Sequence, residues 1–248
     1  MIIVGDIGNT ETKICLIDSK KNIIKRITLN TKKINPISLR KLILTFKLNN
    51  RIIKKCLFCS VVPKAFALIK LFFNKNYKIK CFELKTLKLR KLIKINVNFK
   101  QVGSDRLANA IGTVNDKNNF IILDFGTATT FDVLIKRTYI GGVIAPGVKL
   151  SLNTLSSKAT LIPNISLKKT NNVIGSNTIN AVRSGFFWGY QGLIDNIINL
   201  IKKENRKSFK IIITGGFSNL FKNSIKTKAT LNKDITINGL IKASSLIK

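Results

Sequence analysis

Short apolar runs rich in Ile and Val alternate along the chain with segments whose apolar residues recur every three to four positions. The first pattern predicts β-strands and the second predicts amphipathic helices. We expect strands at Met1–Val4, Ile14–Ile17, Leu57–Val62, Phe120–Leu123, Phe131–Ile135 and Ile211–Thr214. We expect helices at Ser38–Phe46, Pro63–Asn74, Asp105–Val114 and Asn177–Lys202. Strands and helices that follow one another in this way indicate an α/β protein.

The chain also contains an internal repeat, because Ile3–Ile17 can be laid over Ile121–Ile135 at a constant offset of 118 residues. The alignment pairs Asp6 with Asp124, Gly8 with Gly126, Thr12 with Thr130, Leu16 with Leu134 and Ile17 with Ile135. A polar, turn-prone stretch at Asn115–Asn119 separates the two copies. We therefore predict two related domains, with residues 1–117 in the first and residues 118–248 in the second.

Each copy of the repeat reads as a strand, a tight Asp-x-Gly turn and a second strand. The glycine permits the turn and a close approach of the backbone to a ligand, and the backbone N–H groups of such a turn can bind an anion. The aspartate can supply negative charge for a cation or its waters. An isolated Asp-x-Gly is more often a plain hairpin turn, but its duplication favours a paired phosphate site. No Gly-Lys pair forms a Walker A loop and no G-x-G forms a Rossmann fingerprint, so a different nucleotide-binding fold is required.

The composition of charged residues limits which side chains can transfer protons and which partners the surface can attract. The 248 residues include 44 Lys and Arg against 11 Asp and Glu, for a net charge of +33, and no histidine. Proton transfer must therefore fall to a carboxylate, Lys, Tyr or Cys. A basic surface of this kind can attract nucleic acid or a membrane. The lysines are scattered along the whole chain, however, so a compositionally biased, solvated surface is the better interpretation and neither partner is expected.

The Cys56-x-x-Cys59 pair could indicate redox or metal chemistry. It lies in the apolar run Cys56–Val62, however, and residues three apart on a strand point to opposite faces, which favours a buried strand. The first residues lack the pattern of a signal peptide, and no apolar run approaches the ~18 residues that span a bilayer. We therefore expect a cytoplasmic protein.

Several motifs in a fixed order resemble those of the type III pantothenate kinases, which belong to the actin/hexokinase/heat-shock-protein-70-like phosphotransferase superfamily. The matching segments are Asp6–Lys13, Gly103–Arg106, Asp124–Thr130, Gly141–Gly147, Leu155 through Ala159 to Pro163, Thr178 with the glycine-rich helix, and Thr214–Gly216. The resemblance implies an α/β fold of two related ribonuclease-H-like domains, with ATP in the cleft between them. It also implies ATP-dependent phosphorylation of pantothenate to 4′-phosphopantothenate, the first step of coenzyme A synthesis.

The resemblance assigns nucleotide and cation contacts to the two turns. Lys13 would reach the ATP phosphates, Asp6 would hold Mg²⁺ through water, and Asn9, Thr10 and Thr12 would add phosphate donors. Asp124 would bind a monovalent cation, K⁺ or NH₄⁺. The full set of implied ATP-binding residues is Asp6, Ile7, Gly8, Asn9, Thr10, Glu11, Thr12, Lys13 and Thr127.

The substrate contacts follow from the Gly103–Arg106 motif and from Thr178. Asp105 would be the general base for the pantothenate hydroxyl, and Arg106 would pair with the substrate carboxylate. Gly103 and Ser104 would lend backbone contacts. From the residues alone, Asp105 could instead be a helix N-cap or first-turn acid, and Thr178 could merely cap its helix. Ser104 stands where the family usually has Ala. The segment 95–102 is shortened and lacks the family's usual aromatic-then-proline arrangement, which leaves open whether Phe99 replaces a substrate-contacting Tyr.

A stripe without bulky side chains runs along the predicted helix Asn177–Lys202, at Ala181, Gly185, Gly189 and Gly192. Packing of this face on a sheet within the monomer is the default interpretation, and a dimer seam is the second. The resemblance implies a homodimer. Two other functions remain open: a kinase of the same superfamily for another small hydroxylated metabolite, and a non-catalytic regulator or nucleic-acid binder that uses the basic surface.

Overall fold

The computed structural model describes residues 1–46, 53 and 55–247. The chain divides into two compact units. The first comprises Met1–Val114, Arg137–Tyr139 and Asp234–Lys248, and the second comprises Asn115–Lys136 and Ile140–Lys233. The chain therefore enters the second unit three residues before the boundary expected at 117/118, and the segment from Asp234 onward belongs to the first unit. The assignment of these units to residues 1–117 and 118–248 stays a prediction.

The first unit is built on a five-stranded sheet flanked by helices. Its elements in chain order are β1 (Ile2–Ile7), β2 (Glu11–Ile17), β3 (Ile23–Asn30), α1 (Pro36–Phe46), β4 (Lys55–Ser60), α2 (Pro63–Tyr77), β5 (Lys80–Glu83), β6 (Lys94–Ile95) and α3 (Ser104–Thr113). The strand order is β3-β2-β1-β4-β5. Strands β1, β2 and β3 are antiparallel, whereas β4 is parallel to both β1 and β5.

The second unit repeats this plan. Its elements are β7 (Phe120–Phe125), β8 (Ala128–Ile135), β9 (Thr138–Pro146), α4 (Val148–Lys158), α5 (Thr178–Asn205), β10 (Lys210–Gly215), α6 (Ser218–Phe221) and β11 (Ala229–Leu231). The second sheet has six strands in the order β6-β9-β8-β7-β10-β11. Its edge strand β6 pairs through Lys94 and Ile95 with Thr138 and Tyr139, and all four residues belong to the first unit. The β7–β8 pair is antiparallel, and β10 is parallel to both β7 and β11.

Five strands of the second sheet thus repeat the strand order of the first, and β6 is an additional edge strand. This shared order confirms the duplicated α/β fold predicted from the repeat. All six predicted strands and all four predicted helices are present, most of them longer than the apolar pattern indicated. Each sheet has its own core beneath a helical layer. Ile3, Phe58 and Phe73 are buried in the first, and Phe131, Phe187 and Phe221 are buried in the second.

The two hairpins that open the sheets differ by one residue, which corrects the alignment made from the sequence. In the first hairpin Asp6 lies opposite Lys13, and in the second Asp124 lies opposite Thr130. The second turn is therefore one residue shorter. Because residues alternate between the two faces of a strand, the structural counterpart of Thr12 is Thr129 and not Thr130, and both Thr12 and Thr129 are buried.

The segment from Asp234 onward forms the helix α7 (Ile235–Ala243), which packs on α3 within the first unit. The two helices meet at glycines. A Cβ added at Gly239 would lie 1.8 Å from the Ala108 carbonyl oxygen, and one added at Gly112 would lie 2.3 Å from that of Ile235. The Thr236 hydroxyl donates a half-buried hydrogen bond to Asn109 Oδ1 at 2.7 Å beside this crossing.

None of the helices in the described residues is both long enough and apolar enough to cross a membrane.

Candidate active site

The first Asp-x-Gly turn joins β1 to β2 and carries most of the predicted ATP contacts. Gly8 N donates a hydrogen bond to the Glu11 carbonyl at 3.0 Å, which closes the hairpin around Asn9 and Thr10. Asn9, Thr10 and Glu11 are exposed, whereas Ile7 is fully buried. The tip of the turn thus offers side chains and backbone to a ligand, while Ile7 anchors it in the core.

Thr12 lies beneath this turn and not at its surface. Its side chain is fully buried, and its Oγ1 is 2.9 Å from Thr31 Oγ1, which donates in turn to the Gly8 carbonyl at 2.7 Å. Since Thr31 uses its proton on Gly8, Thr12 is the donor to Thr31. Thr31, the residue directly after β3, supports the turn through this bond, and no pattern in the sequence pointed to it. The phosphate contact expected of Thr12 stays a prediction.

Asp6 sits in a row of three side chains across neighbouring strands. Lys13 of β2 is its partner in the antiparallel ladder, and Cys59 of β4 is its partner in the parallel one. Residues paired in this way project from the same face of the sheet. The Cys59 thiol donates a hydrogen bond to Asp6 Oδ1 at 3.4 Å. A carboxylate therefore lies between a cation and a buried thiol.

Cys59 also reports how close the acidic side chains of the first unit are to one another. Burial raises the pKa of the Cys59 thiol well above its ordinary value, and the negative charges of Asp6, Asp105 and Glu83 raise it further. The two aspartates were predicted as site residues from separate motifs. The fold brings both within electrostatic reach of one buried sulfur.

The Gly103–Arg106 motif forms the first turn of α3. The helix N-cap is Gly103, which makes no side-chain capping bond, and Asp105 lies in the first turn. The interpretation of Asp105 as an N-cap is therefore wrong. Asp105 Oδ1 accepts the backbone N–H of Arg106 at 2.8 Å and lies 2.5 Å from where a Cβ on Gly103 would be. This bond to Oδ1 fixes how the carboxyl group is turned at the start of the helix.

Ser104 is nearly fully buried, and its hydroxyl donates a short hydrogen bond to Glu83 Oε1. The other Glu83 oxygen accepts the backbone N–H of Lys85 at 2.7 Å. Glu83 was not among the predicted site residues. Its rarity could have pointed to it, since Glu83 is one of 11 acidic residues in a strongly basic chain.

The second Asp-x-Gly turn, in the second unit, is enclosed by two further glycines. Gly126 N donates to the Ala128 carbonyl at 3.0 Å, which leaves Thr127 exposed at the tip. A Cβ on Gly147 would lie 2.0 Å from the Thr127 carbonyl oxygen, and one on Gly215 would lie 2.6 Å from Asp124 Oδ1. The glycines of the Gly141–Gly147 and Thr214–Gly216 motifs thus pack directly against the second turn.

Thr178 is exposed at the first position of α5. The residue that caps this helix is Asn177, whose side chain accepts the backbone N–H of Asn180 at 2.9 Å. Thr178 therefore does not cap the helix, and its substrate contact stays a prediction.

The glycine stripe of α5 does not pack on a sheet. Apart from the neighbouring residues of α5 itself, the described part of the chain places no atom within 4 Å of a Cβ built on Gly185, Gly189 or Gly192. The default interpretation of this stripe is therefore wrong.

Both cysteines of the C-x-x-C pair are free and buried on β4, and their thiols donate to different acceptors. Cys56 Sγ donates to the Lys80 carbonyl at 3.6 Å, whereas Cys59 donates to Asp6. Over the residues 1–46, 53 and 55–247, no cluster of three or more Cys, Asp or Glu side chains has an arrangement that could hold a metal ion.

Two sheets that share a five-strand order, each opened by an Asp-x-Gly hairpin, place the protein in the class of duplicated α/β folds of the actin/hexokinase type. The same fold is found in a putative 2-dehydro-3-deoxygalactonokinase from Sinorhizobium meliloti. Its structure matches with a TM-score of 0.61 at 9% identity, over 100% of this chain and 99% of that one.

The sequence comparisons identify the family. The family model for type III pantothenate kinase matches residues 2–200. A type III pantothenate kinase from Pelagibacter ubique is 75% identical over the full length of both chains. Another, from Cereibacter sphaeroides, is 33% identical over 97% of this chain and 96% of its own. The chain belongs to the type III pantothenate kinase family.

Proposed function

We propose that this protein transfers the γ-phosphoryl group of ATP to the primary hydroxyl of pantothenate, forming 4′-phosphopantothenate in the first step of coenzyme A synthesis. Membership of the type III pantothenate kinase family carries this proposal. The structure supports it, because Asp6, in the turn predicted to bind ATP, accepts a hydrogen bond from Cys59, and the negative charges of both Asp6 and Asp105 raise the pKa of that thiol. A kinase of this family uses ATP together with a divalent metal ion.

Phosphoryl transfer depends mainly on positioning and on neutralising charge. The exposed turn at Asn9 and Thr10 would bind phosphate oxygens through backbone and side-chain donors. Lys13 would approach the same phosphates as a point charge from the position opposite Asp6. Asp6 would hold Mg²⁺ mainly through water, and a single carboxylate fits an ion that keeps several of its waters. The bound ion would offset the negative charge of the transferred phosphate.

Asp105 is the proposed general base. Its Oδ1 is occupied by the Arg106 backbone N–H, so Oδ2 would take the proton of the pantothenate hydroxyl as the hydroxyl oxygen attacks the γ-phosphorus and ADP departs. The Arg106 guanidinium would pair with the pantothenate carboxylate, for which its planar donor fork is suited. Gly103 and Ser104 would add backbone contacts.

In the second unit, Asp124 would bind K⁺ or NH₄⁺, Thr127 would contact ATP and Thr178 would contact the substrate. Asp124 is half-buried at the end of β7 and closely packed by Gly215, which would hold its carboxylate in one place. A weakly hydrated monovalent cation suits a preformed site of this kind.

The protein would act as a homodimer. The α5 stripe is open in the described chain. Exposed apolar side chains are also present on β9, α4 and α5, including Ile144 (64% exposed), Leu150 (52%) and Leu200 (54%). A second copy would cover these residues. Gly189→Leu should convert the dimer to a monomer in sedimentation, whereas Gly216→Ala should leave it dimeric.

The deciding experiment measures ADP release from ATP and Mg²⁺, with and without pantothenate, and with K⁺ exchanged for Na⁺. We expect turnover that requires pantothenate, is favoured by K⁺, and falls by about 10²–10⁴-fold in Asp105→Asn. Asp116→Asn, at an exposed acid in the 115–119 turn, is the matched control and should retain full activity.

Each part of the proposal can fail separately. ATP turnover that does not depend on pantothenate would exclude pantothenate as the acceptor, and other small hydroxylated metabolites would then be tested. Full activity in Asp105→Asn would exclude Asp105 as the general base. The expectations that the basic surface binds no nucleic acid and that the protein is cytoplasmic stay predictions.

A further inference from the structure

The substrate motif begins at Gly103, where the irregular segment 96–103 meets α3. The helix itself does not fix the angle at this joint. Gly103 is the N-cap of α3 and supplies no side-chain capping bond. The preceding segment 96–103 contains turns but neither helix nor strand. The direction in which Asp105 and Arg106 leave this joint must therefore be set by contacts from elsewhere in the first unit.

Lys85 holds the chain just before the joint. Its ammonium group donates to the Lys100 carbonyl at 3.1 Å and to the Val102 carbonyl at 3.0 Å. It also lies 5.1 Å from the centre of the Phe99 ring, within the range of a cation–π contact. An ammonium has three donors, and here two of them bind backbone carbonyls within four residues of Gly103.

Glu83 holds the chain just after the joint. It accepts the buried Ser104 hydroxyl, and a hydroxyl bound to a carboxylate is among the stronger hydrogen bonds in proteins. Glu83 is itself fixed, because it ends β5 and caps the short 3-10 turn Leu84–Thr86 through its bond to Lys85 N. One rigid turn thus carries both contacts.

We propose that Glu83 and Lys85 are positioning residues that together fix the angle at which Asp105 and Arg106 meet the acceptor substrate. This inference rests on the proposed function, since it assumes that the 103–106 motif binds pantothenate. Neither side chain would touch the reacting atoms. The Ser104 hydroxyl, which Ala could not supply, is the donor in the contact with Glu83.

The test separates positioning from general stability through the two Michaelis constants. In Lys85→Met, which keeps the length but loses the charge and the donors, we expect KM for pantothenate to rise about tenfold. KM for ATP should stay within about twofold, because the ATP turn is on β1 and β2. Lys85→Arg restores a cation with several donors and should recover most of the lost affinity. Lys25→Met is the matched control, because Lys25 also donates to a backbone carbonyl, that of Thr45 at 2.8 Å, away from the motif.

The Glu83 contact is tested by a double-mutant cycle. Glu83→Met, which has no side-chain acceptor of this strength, and Ser104→Ala should each raise KM for pantothenate. The double variant should be little worse than Glu83→Met alone, because both changes remove the same bond. Additive effects in the cycle would show that the two side chains act independently and would overturn this half of the proposal. If Lys85→Met does not fold, Ser104→Ala removes a single hydroxyl and still tests the idea.

Hydrogen–deuterium exchange supplies a readout that needs no substrate. Amides of residues 99–107 should exchange faster in Lys85→Met than in wild type or Lys25→Met. Unchanged exchange, or equal rises in both Michaelis constants, would overturn the proposal. If wild type does not phosphorylate pantothenate at all, the proposed function fails by itself, and faster exchange would still show that Lys85 fixes the motif for whichever acceptor is used.

Discussion

Gly215 leaves no room for a side chain beside Asp124. A Cβ at Gly215 would lie 2.6 Å from Asp124 Oδ1 and 2.5 Å from Phe125 N, and its backbone has φ +87°. The two residues come from motifs about 90 positions apart in the sequence, and the parallel pairing of β10 with β7 brings them together. The turn at 214–216 therefore shapes the proposed cation site.

Gly215→Ala should consequently destabilise the protein by about 1–3 kcal/mol, from the clash and the unfavourable φ. The folded fraction should lose its preference for K⁺ over Na⁺, because the clash displaces the Asp124 carboxylate. Gly216→Ala is the control, since its Cβ would meet only Phe125 O at 3.9 Å, an ordinary contact. Denaturant unfolding and the K⁺ titration measure the two effects. Equal behaviour of the two variants would contradict the prediction.

Gly239→Ala should lower the free energy of unfolding, although alanine is the better helix former. An exposed helical Gly→Ala change normally stabilises by up to about 1 kcal/mol. At Gly239 the added carbon would press on the Ala108 backbone and force α7 away from α3, at a cost of about 1–3 kcal/mol. Asn74→Ala, at an exposed position of α2, should show the usual stabilisation by a better helix former. Urea unfolding of both variants tests the difference in sign, and a stabilised Gly239→Ala would disprove the close crossing.

Lys13→Met should weaken ATP binding and leave the fold intact. Lys13 is half-buried opposite Asp6, and loss of its charge removes a phosphate partner, so KM for ATP should rise about tenfold or more. Lys80→Met, at an exposed lysine on β5 of the same sheet, should behave as wild type. Steady-state kinetics with varied ATP provide the measurement. An unchanged KM in Lys13→Met would exclude Lys13 from the phosphate site.

Stability should decline at alkaline pH partly because of Cys56. Burial raises the pKa of its thiol well above the ordinary value. Above about pH 8.5 the unfolded chain loses this proton and the folded chain keeps it, so the free energy of unfolding falls as pH rises. The contribution is at most about 1.4 kcal/mol per pH unit. Cys56→Ala should therefore show a shallower decline than wild type in denaturation series at increasing pH. Parallel declines would mean that the thiol titrates alike in both states.

The sequence predicted the strands and helices whose apolar patterns are strong, and the repeat predicted two sheets of the same kind. It missed β3, whose residues alternate between half-buried and exposed along the edge of the sheet, and it missed α7. Neither carries a motif: β3 is an edge strand that pairs only with the preceding β2, and α7 packs on α3, about 120 residues earlier in the chain. Local periodicity does not encode that pairing.

The candidate site shows the same division. Motifs placed the aspartates at strand and helix ends because the chemistry of a turn is local. Glu83 and Lys85 were missed because their partners lie 15–21 residues away and are reached only through the β5 turn. The one-residue difference between the hairpins was also hidden, since only the ladder partners reveal which side chains face each other.

The return of α7 to the first unit has a consequence for synthesis on the ribosome. Domains usually complete folding in the order in which they are made. Here residues 235–243, which pack against the helix bearing Asp105 and Arg106, are translated after the whole of the second unit. The later-made unit can therefore mature first, while the N-terminal sheet waits with its α3 face uncovered. Until α7 has been made, α3 lacks the helix on which it packs, so the predicted substrate motif would be completed last.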